Sequence, residues 1–314
     1  MAQFILRRIV SVLPVLLLVS FAAFSLLWLI PGDAAVVILG PDVDRGTVDA
    51  LRKSLGLDRS LAAQYGSWLG RTLQGDLGHS LRDHRPIATA VVERLPATLE
   101  LSALAMLIAL TLGIPAGIVL ASRHGTWVDV AGSVVSLGGI SMPNFWLGIL
   151  LILWLSVALG WLPPSGYVPL HESVRGNLEL MIMPAVTLGL ALAATVTRQT
   201  RASVLQVLDL DYVRTARAKG AKEARVIGVH VLKNALIPVV TIVGLQIGRL
   251  AGGAVITETI FGIPGIGRLA VDSLLARDFP VIQAVILLMA VAVVLSNLLV
   301  DVVYAYLDPR IRYG

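Results

Sequence analysis

The side chains from which a catalyst could be built are present in this chain, but none falls in a complete constellation. Ser141 sits in GISMP, which lacks the second glycine that a membrane-embedded serine nucleophile needs to expose its hydroxyl, so it reads as a polar residue before a proline. His171 and Glu172 in LHESVR lack the second histidine of a zinc-binding helix. His79, His84, His124 and His230 are scattered among connecting segments, form no recognisable metal cluster and read as solvated. With no cysteine, disulfides, thiolate metal sites and cysteine nucleophiles are excluded. No GxxxxGK(S/T) loop is present, so the chain is not expected to bind and split ATP itself.

The residues that stand out are small or cationic rather than catalytic. Residues 211–238, DYVRTARAKGAKEARVIGVHVLKNALIP, form a basic, helix-prone island between two apolar runs. Asp211 is expected to cap a short helix over 212–219, its carboxylate accepting orphan amide protons, and Gly220 to close that helix in a left-handed conformation. A second helix is expected over 222–236, with Pro238 one turn inside the next apolar run. Ala216, Ala218, Gly220 and Ala221 leave part of the island nearly bare of bulk, a shape that can enter another protein's groove. The plainer alternative is a loop whose cations touch anionic lipid, each contributing about 1 kcal/mol near the surface.

The elements that must hold this island are membrane spans. The chain has 314 residues, 56% hydrophobic and 14% charged, with a mean hydropathy of +0.83, which excludes an ordinary water-soluble domain. The excess charge of +5 sits in short loops, where orientation in a membrane accounts for it, so no nucleic-acid partner is expected. Six apolar runs are legible: 9–32, which reads as an uncleaved anchor after Arg7 and Arg8, then 101–122, 130–162, 180–197, 234–257 and 279–300. The third is expected to be one helix kinked at Pro143, because splitting it there leaves a first half too short to cross.

Positive charge sets the orientation. Arg7, Arg8, Arg123, the island and the tail residues Arg310 and Arg312 fall on one side, which is therefore expected to be cytoplasmic. The expected divisions are a tail and first span over 1–30, an extracytoplasmic segment over 31–97, and a five-helix core over 98–314 with the cytoplasmic loop at 199–233. In the extracytoplasmic segment Ser60 is expected to cap a helix sharing Leu61, Tyr65, Trp68 and Leu69 on one face, and Pro86 to open another helix ending near Pro96. That segment reads as a lid on the spans, with a docking surface as the sharper alternative. In the fifth run Gly244, Gly248 and Gly252 recur every four residues, a smooth stripe for close helix packing. Arg249 beside them costs roughly 2.5 to 3.5 kcal/mol at a helix centre. Two placements meet that cost: a protein-lined or water-filled cavity, or a snorkelling position near the outer boundary.

The island resembles the cytoplasmic coupling loop, the EAA-type motif, of ABC importer permeases, in the form used by the dipeptide, oligopeptide, glutathione and nickel branch. YVRTARAKG at 212–220 and HVLKNALIPVV at 230–240 carry it. The resemblance runs along nearly the whole chain through ILRRI at 5, LIPGD at 29, GDLGHSL at 75, LPATLEL at 95, SMPNFWLG at 141, LAGGAVITETIFGIPGIGR at 250 and LDPRIR at 307. Arg214 stands where the wider superfamily has an acidic residue, and Gly220 lies further from Pro238 than usual; both features look like this branch.

This resemblance implies an all-α membrane protein with six transmembrane helices, the type I ABC importer permease architecture, and both termini cytoplasmic. It implies a subunit that moves short peptides inward by alternating access, with glutathione or nickel chelates as alternatives on the same architecture. Implied partners are a homologous second permease, two ABC ATPase subunits or domains, an extracytoplasmic solute-binding protein and membrane lipid; ATP and magnesium belong to the ATPases, and this chain binds no cofactor. Coupling would fall to Asp211, Tyr212, Arg214, Thr215, Ala216, Ala218, Lys219 and Gly220. Helix packing or the pathway would involve Pro143, Asn144, Gly244, Gly248, Arg249 and Gly252, and the outer gate or binding-protein contact Glu258, Phe261, Gly265, Arg268 and Asp272. A self-sufficient channel or secondary transporter is the rival reading, and transport by this chain alone in liposomes would distinguish it. A membrane enzyme would instead show an activity that vanishes on changing Ser141.

Overall fold

One proline, Pro143, marks the sharpest break in this chain of helices, and glycines mark where the helices pack. The computed structural model describes residues 2–26, 28, 36, 43–54, 56 and 58–307. The LIPGD stretch at 29–33, the tail positions Arg310 and Arg312, and the side chain of Arg249 lie outside that description. The helices are α1 (Ala2–Ser25), α2 (Arg45–Ser54), α3 (Leu61–Leu73), α4 (Ile87–Ser122), α5 (Trp127–Ser141), α6 (Asn144–Leu151) and α7 (Val174–Leu208). Then come α8 (Asp211–Ala218), α9 (Glu223–Arg225), α10 (Leu232–Gly253), α11 (Val255–Ile260), α12 (Ile266–Leu275) and α13 (Phe279–Leu307). Wider π-helical turns extend α6 over Ile152–Ala158 and join α9 to α10 over Val226–Val231. Among the described residues the β structure is an isolated bridge between His79 and Pro86.

Among the described residues four helical stretches, Ile87–Ser122, Val174–Leu208, Glu223–Gly248 and Phe279–Val302, are long and apolar enough to cross a membrane. The pair Trp127–Ser141 and Asn144–Ala158 meets the same requirement when taken together, and α1 contains a shorter apolar run, Val10–Ser25. Helix α4 has 36 residues, so at about 1.5 Å per residue it is about 54 Å long and projects well beyond a hydrocarbon core of roughly 30 Å. The expected stop at Pro96 does not occur. Val92, whose carbonyl loses its partner at Pro96, is on the exposed side, while Ala97, Thr98 and Leu101 on the packed side hold the helix on course.

Glycine contacts establish how the helices run. Gly113 lies against Ala193 and Val196, Gly117 against Thr197 and Thr200, and Gly189 against Ala105 and Ile108. Positions rise together on both partners, so α4 and α7 are parallel. The chain between them must therefore return to its starting end, and it does: Gly132 meets Leu120, Gly139 meets Ala194, and Gly148 meets Thr187. The expected single kinked helix is not seen, since the two halves are bent by 97° at a break. Pro143 forces Met142 out of helical geometry, to φ −79 and ψ 123, and opens a second helix instead of bending the first.

Gly244 and Gly248 pack on Val300 and Ser296, making α10 and α13 antiparallel, and the Ser296 hydroxyl donates to the Gly244 carbonyl at 2.8 Å. Helix α1 runs back along α13, with Arg8 and Asp301 3.3 Å apart at one end and Gln283 donating to the Phe24 carbonyl at 3.0 Å near the other. Tyr65 and Trp68 of α3 stack beside Phe24, pinning the polar segment to the first helix. Ser60 does precede α3, but its hydroxyl makes no cap; the Gln64 amide bonds to its carbonyl instead. Apolar side chains gather at both ends of the bundle, around Val213 at one and around Phe261 and Ile266 at the other.

Candidate functional site

At the Val213 end the island is built as an elbow. Leu210 is extended and α8 begins on Asp211 itself, so Asp211 is the first helical residue and not the expected cap. Its carboxylate pairs with Arg214 at 3.3 Å. Val213 has no exposed surface and is enclosed by Ala121, Val204, Val207, Val226, Val231 and Ala235, which fixes α8 to α4, α7 and the next span. The Tyr212 hydroxyl receives Asn234 Nδ2 at 2.8 Å and reaches the His230 carbonyl at 3.2 Å. Arg217 grips Glu223 through two bonds, at 2.6 and 3.1 Å, bracing α8 against α9.

Gly220 takes φ +76, and a Cβ there would meet nothing within 4 Å. It ends α8 as expected, at the tip of an uncovered surface. Arg214, Thr215, Ala218, Lys219 and Gly220 are exposed, while Ala216 turns partly inward with Ala221. The second helix expected over 222–236 begins at Glu223, but it does not stop before the next apolar run: a π-helical turn carries it straight into α10 and through Pro238. The far arm of the elbow is therefore continuous with a long apolar helix.

At the other end a carboxylate is enclosed by backbone. Glu258 has no exposed surface; Thr98 Oγ1 donates to its Oε1 at 2.7 Å and the Arg268 amide to its Oε2 at 2.9 Å. The same Thr98 oxygen accepts the Ile266 amide at 2.8 Å. Gly265 and Gly267 lie so close to the carboxylate that any side chain at either would strike it. Burial raises the Glu258 carboxyl above its usual range, and the bonds from Thr98 and the Arg268 amide pull the other way. Phe261 is 1% exposed, with its ring against Gly148 and its carbonyl accepting Gly166 N at 2.9 Å. Of the residues expected at an outer contact, Glu258, Phe261 and Gly265 are thus internal, whereas Arg268 and Asp272, 3.8 Å apart, reach the surface.

The expected packing residues divide similarly. Pro143 and Asn144 form the break between α5 and α6, and Asn144 borders a half-open cavity of about 680 Å³ lined by α4, α5, α6 and α7. Gly244 and Gly248 serve helix packing, and Gly252 lies on the same helix, α10, as does the backbone of Arg249. Ser141 closes α5 at the break, and His171 lies exposed 3.9 Å from Glu172. His124 is not merely solvated: its Nδ1 lies 2.9 Å from the buried Asp129 carboxylate, which Arg201 also grips. Among the described residues no group of three or more histidine or acidic side chains is placed to hold a metal ion. The arrangement is a braced, cationic knuckle at one end and a locked loop at the other.

The family described as binding-protein-dependent transport system inner membrane component matches residues 113–313, and the corresponding N-terminal family matches residues 1–102. A protein of Brucella abortus strain 2308 named as a peptide transport system permease is 42% identical over 313 residues, covering all of both chains. A protein of Escherichia coli K12 named as the glutathione transport system permease GsiC is 43% identical, again over all of both chains. Among solved structures, a chain of the inward-facing MetNI methionine ABC transporter superposes with a TM-score of 0.57 at 17% identity, covering 69% of this chain and 96% of that one.

Proposed function

The chain belongs to the binding-protein-dependent transport system inner membrane component family, as an ABC permease, and from that premise we propose that it carries short peptides inward across a bacterial cytoplasmic membrane. Glutathione, itself a short peptide, is an equal candidate, because the relatives named for peptide and for glutathione transport are similar to this chain in the same degree. In this reading the chain crosses the membrane six times, has both termini and the elbow in the cytoplasm, and pairs with a homologous permease. ATP and magnesium are bound by two separate ATPase subunits, and an extracytoplasmic binding protein delivers the substrate. Supporting the topology, Arg8 meets Asp301 at the elbow's end of the bundle, and parallel α4 and α7 leave room for one passage between them.

The observation that carries the reading is the elbow. A short helix anchored by the buried Val213, and braced through Arg217 and Glu223 against the helix that runs on into α10, presents small and cationic residues to open space, which suits insertion into a groove on an ATPase. Nucleotide-driven movement of that ATPase would then tilt α7 and α10 together, because both end on the Val213 cluster. The locked loop around Glu258 suits the role of an outer gate. Arg268 and Asp272 are its surface contacts for the delivery protein.

Two substitutions at Gly220 test the coupling role in the assembled transporter. The left-handed backbone costs an alanine roughly 1 to 2 kcal/mol but adds no bulk, so Gly220→Ala keeps ATP-dependent uptake of a labelled alanine dipeptide or glutathione. Gly220→Trp inserts into the membrane normally and abolishes that uptake, since its ring occupies the space the ATPase must fill. Normal uptake by the tryptophan variant would place the docking surface elsewhere.

A further inference from the structure

Beyond the elbow, a buried ion pair joins two elements that a moving permease must coordinate. Asp129, in the first turn of α5, is 3% exposed. Its carboxylate receives Arg201 of α7 through Nε and, at 2.8 Å, through Nη2; His124 Nδ1 stands at 2.9 Å and the Gly125 amide at 3.2 Å. Arg201 lies on the last two turns of α7, just ahead of Val204 and Val207, which hold the elbow through Val213. That stretch of α7 and the elbow therefore form one packed body, and the ion pair fastens the start of α5 to it.

The rest of α5 has one face open and two close contacts on the other. Val130, Val134, Val135 and Leu137 are exposed; Gly132 packs on Leu120 and Gly139 on Ala194, and beside these contacts a largely apolar, half-open cavity of about 680 Å³ lies between α5, α4 and α7. Beyond the 97° break, α6 is again held tightly, with Gly148 against Thr187 and Phe261, next to the Glu258 loop. The segment thus has a firm attachment at each end, a break between them, and free volume beside the half nearer the elbow. We propose that Asp129 and Arg201 are a positioning pair that clamps this half of the broken span to the elbow, so that elbow movement swings α5 about Pro143. The inference rests on the coupling function proposed above. A bidentate guanidinium suits the task, because it fixes direction as well as distance, and breaking a buried pair leaves the other charge uncompensated.

The test uses the complete reconstituted transporter with its ATPase subunits and delivery protein, reading ATP hydrolysed per molecule of labelled alanine dipeptide or glutathione taken up. Asp129→Asn is expected to keep ATP hydrolysis while the ratio of ATP to substrate rises about tenfold, within the usual range of coupling between sites. The double variant Asp129→Arg with Arg201→Asp, which reverses the pair, is expected to recover part of the lost coupling. Should Asp129→Asn fail to assemble, Arg201→Lys, which keeps the charge but loses the fork, carries the same measurement. An unchanged ratio in these variants overturns the clamp alone. So does a proportional fall in hydrolysis and uptake, the mark of a purely structural role. A wild-type assembly that takes up nothing with ATP overturns both the clamp and the function on which it rests.

Discussion

A buried carboxylate held by backbone amides is worth most where nothing else could fill its place, and Glu258 is such a residue. Replacing it with alanine leaves the Arg268 amide and the Thr98 hydroxyl without an acceptor inside the fold. At 1 to 3 kcal/mol per unsatisfied buried group, Glu258→Ala is expected to lose about 3 kcal/mol of stability. Glutamine keeps the shape but turns an N–H toward one of the two donors, and about half that loss is expected. Acidity provides a second reading of the same residue. Burial raises the folded-state carboxyl above its ordinary value of 4.5, so its contribution is complete below that value and is lost as the pH climbs through the raised one. Thermal unfolding in detergent should therefore show wild type losing ground to Glu258→Gln as the pH rises above 4.5. A gap between the two that widens on alkalinisation would contradict the burial argument.

Helices in lipid have no hydrophobic drive toward one another, so α4 and α7 depend on close approach through small residues. A Cβ at Gly117 would fall 2.5 Å from Thr200 Cβ and 2.7 Å from the Thr197 carbonyl oxygen, whereas one at Gly138 would meet nothing within 4 Å. Gly117→Ala must push two backbones apart and is expected to cost roughly 1 to 3 kcal/mol, with Gly138→Ala neutral or slightly stabilising, in detergent unfolding of the two variants side by side. The sequence carried part of this element-scale picture. The stripe at Gly244 and Gly248 announced close packing, and Gly220 announced the end of α8. What spacing could not disclose was the partner: Thr98 meets Glu258 across 160 positions and Arg201 meets Asp129 across 72, distances set by the fold. Proline misled in both directions, because Pro96 sits in a helix held straight by its buried side while Pro143 ends one outright. Asp211 likewise has a capping residue's chemistry but lies one position too late to cap.

Orientation is a property of the whole molecule, because the excess charge on one end is shared among many residues. Arg198, Arg201, Arg214, Arg217, Lys219, Lys222, Arg225 and Lys233 cluster at the elbow, and the Arg8 to Asp301 contact places the start of α1 at that end too. The two shorter opposite connections hold only Arg175, Arg268 and Arg277, and the cations of the segment 31–97 are balanced by acidic residues in a stretch long enough to translocate regardless of charge. The orientation proposed above follows from retention of positive loops in the cytoplasm, which would put the elbow inside, where ATP is found, and the Glu258 loop outside. Because the chain contains no cysteine, a single introduced thiol reports its own side without background. Ala218→Cys, exposed on the elbow, should resist a membrane-impermeant maleimide in intact cells and react in inverted vesicles prepared without the ATPase subunits. His171→Cys, replacing a side chain 82% exposed in the connection between α6 and α7, should show the reverse. Labelling of Ala218→Cys from outside would separate the elbow from any cytoplasmic ATPase, and with it the energy source on which inward transport by this chain depends.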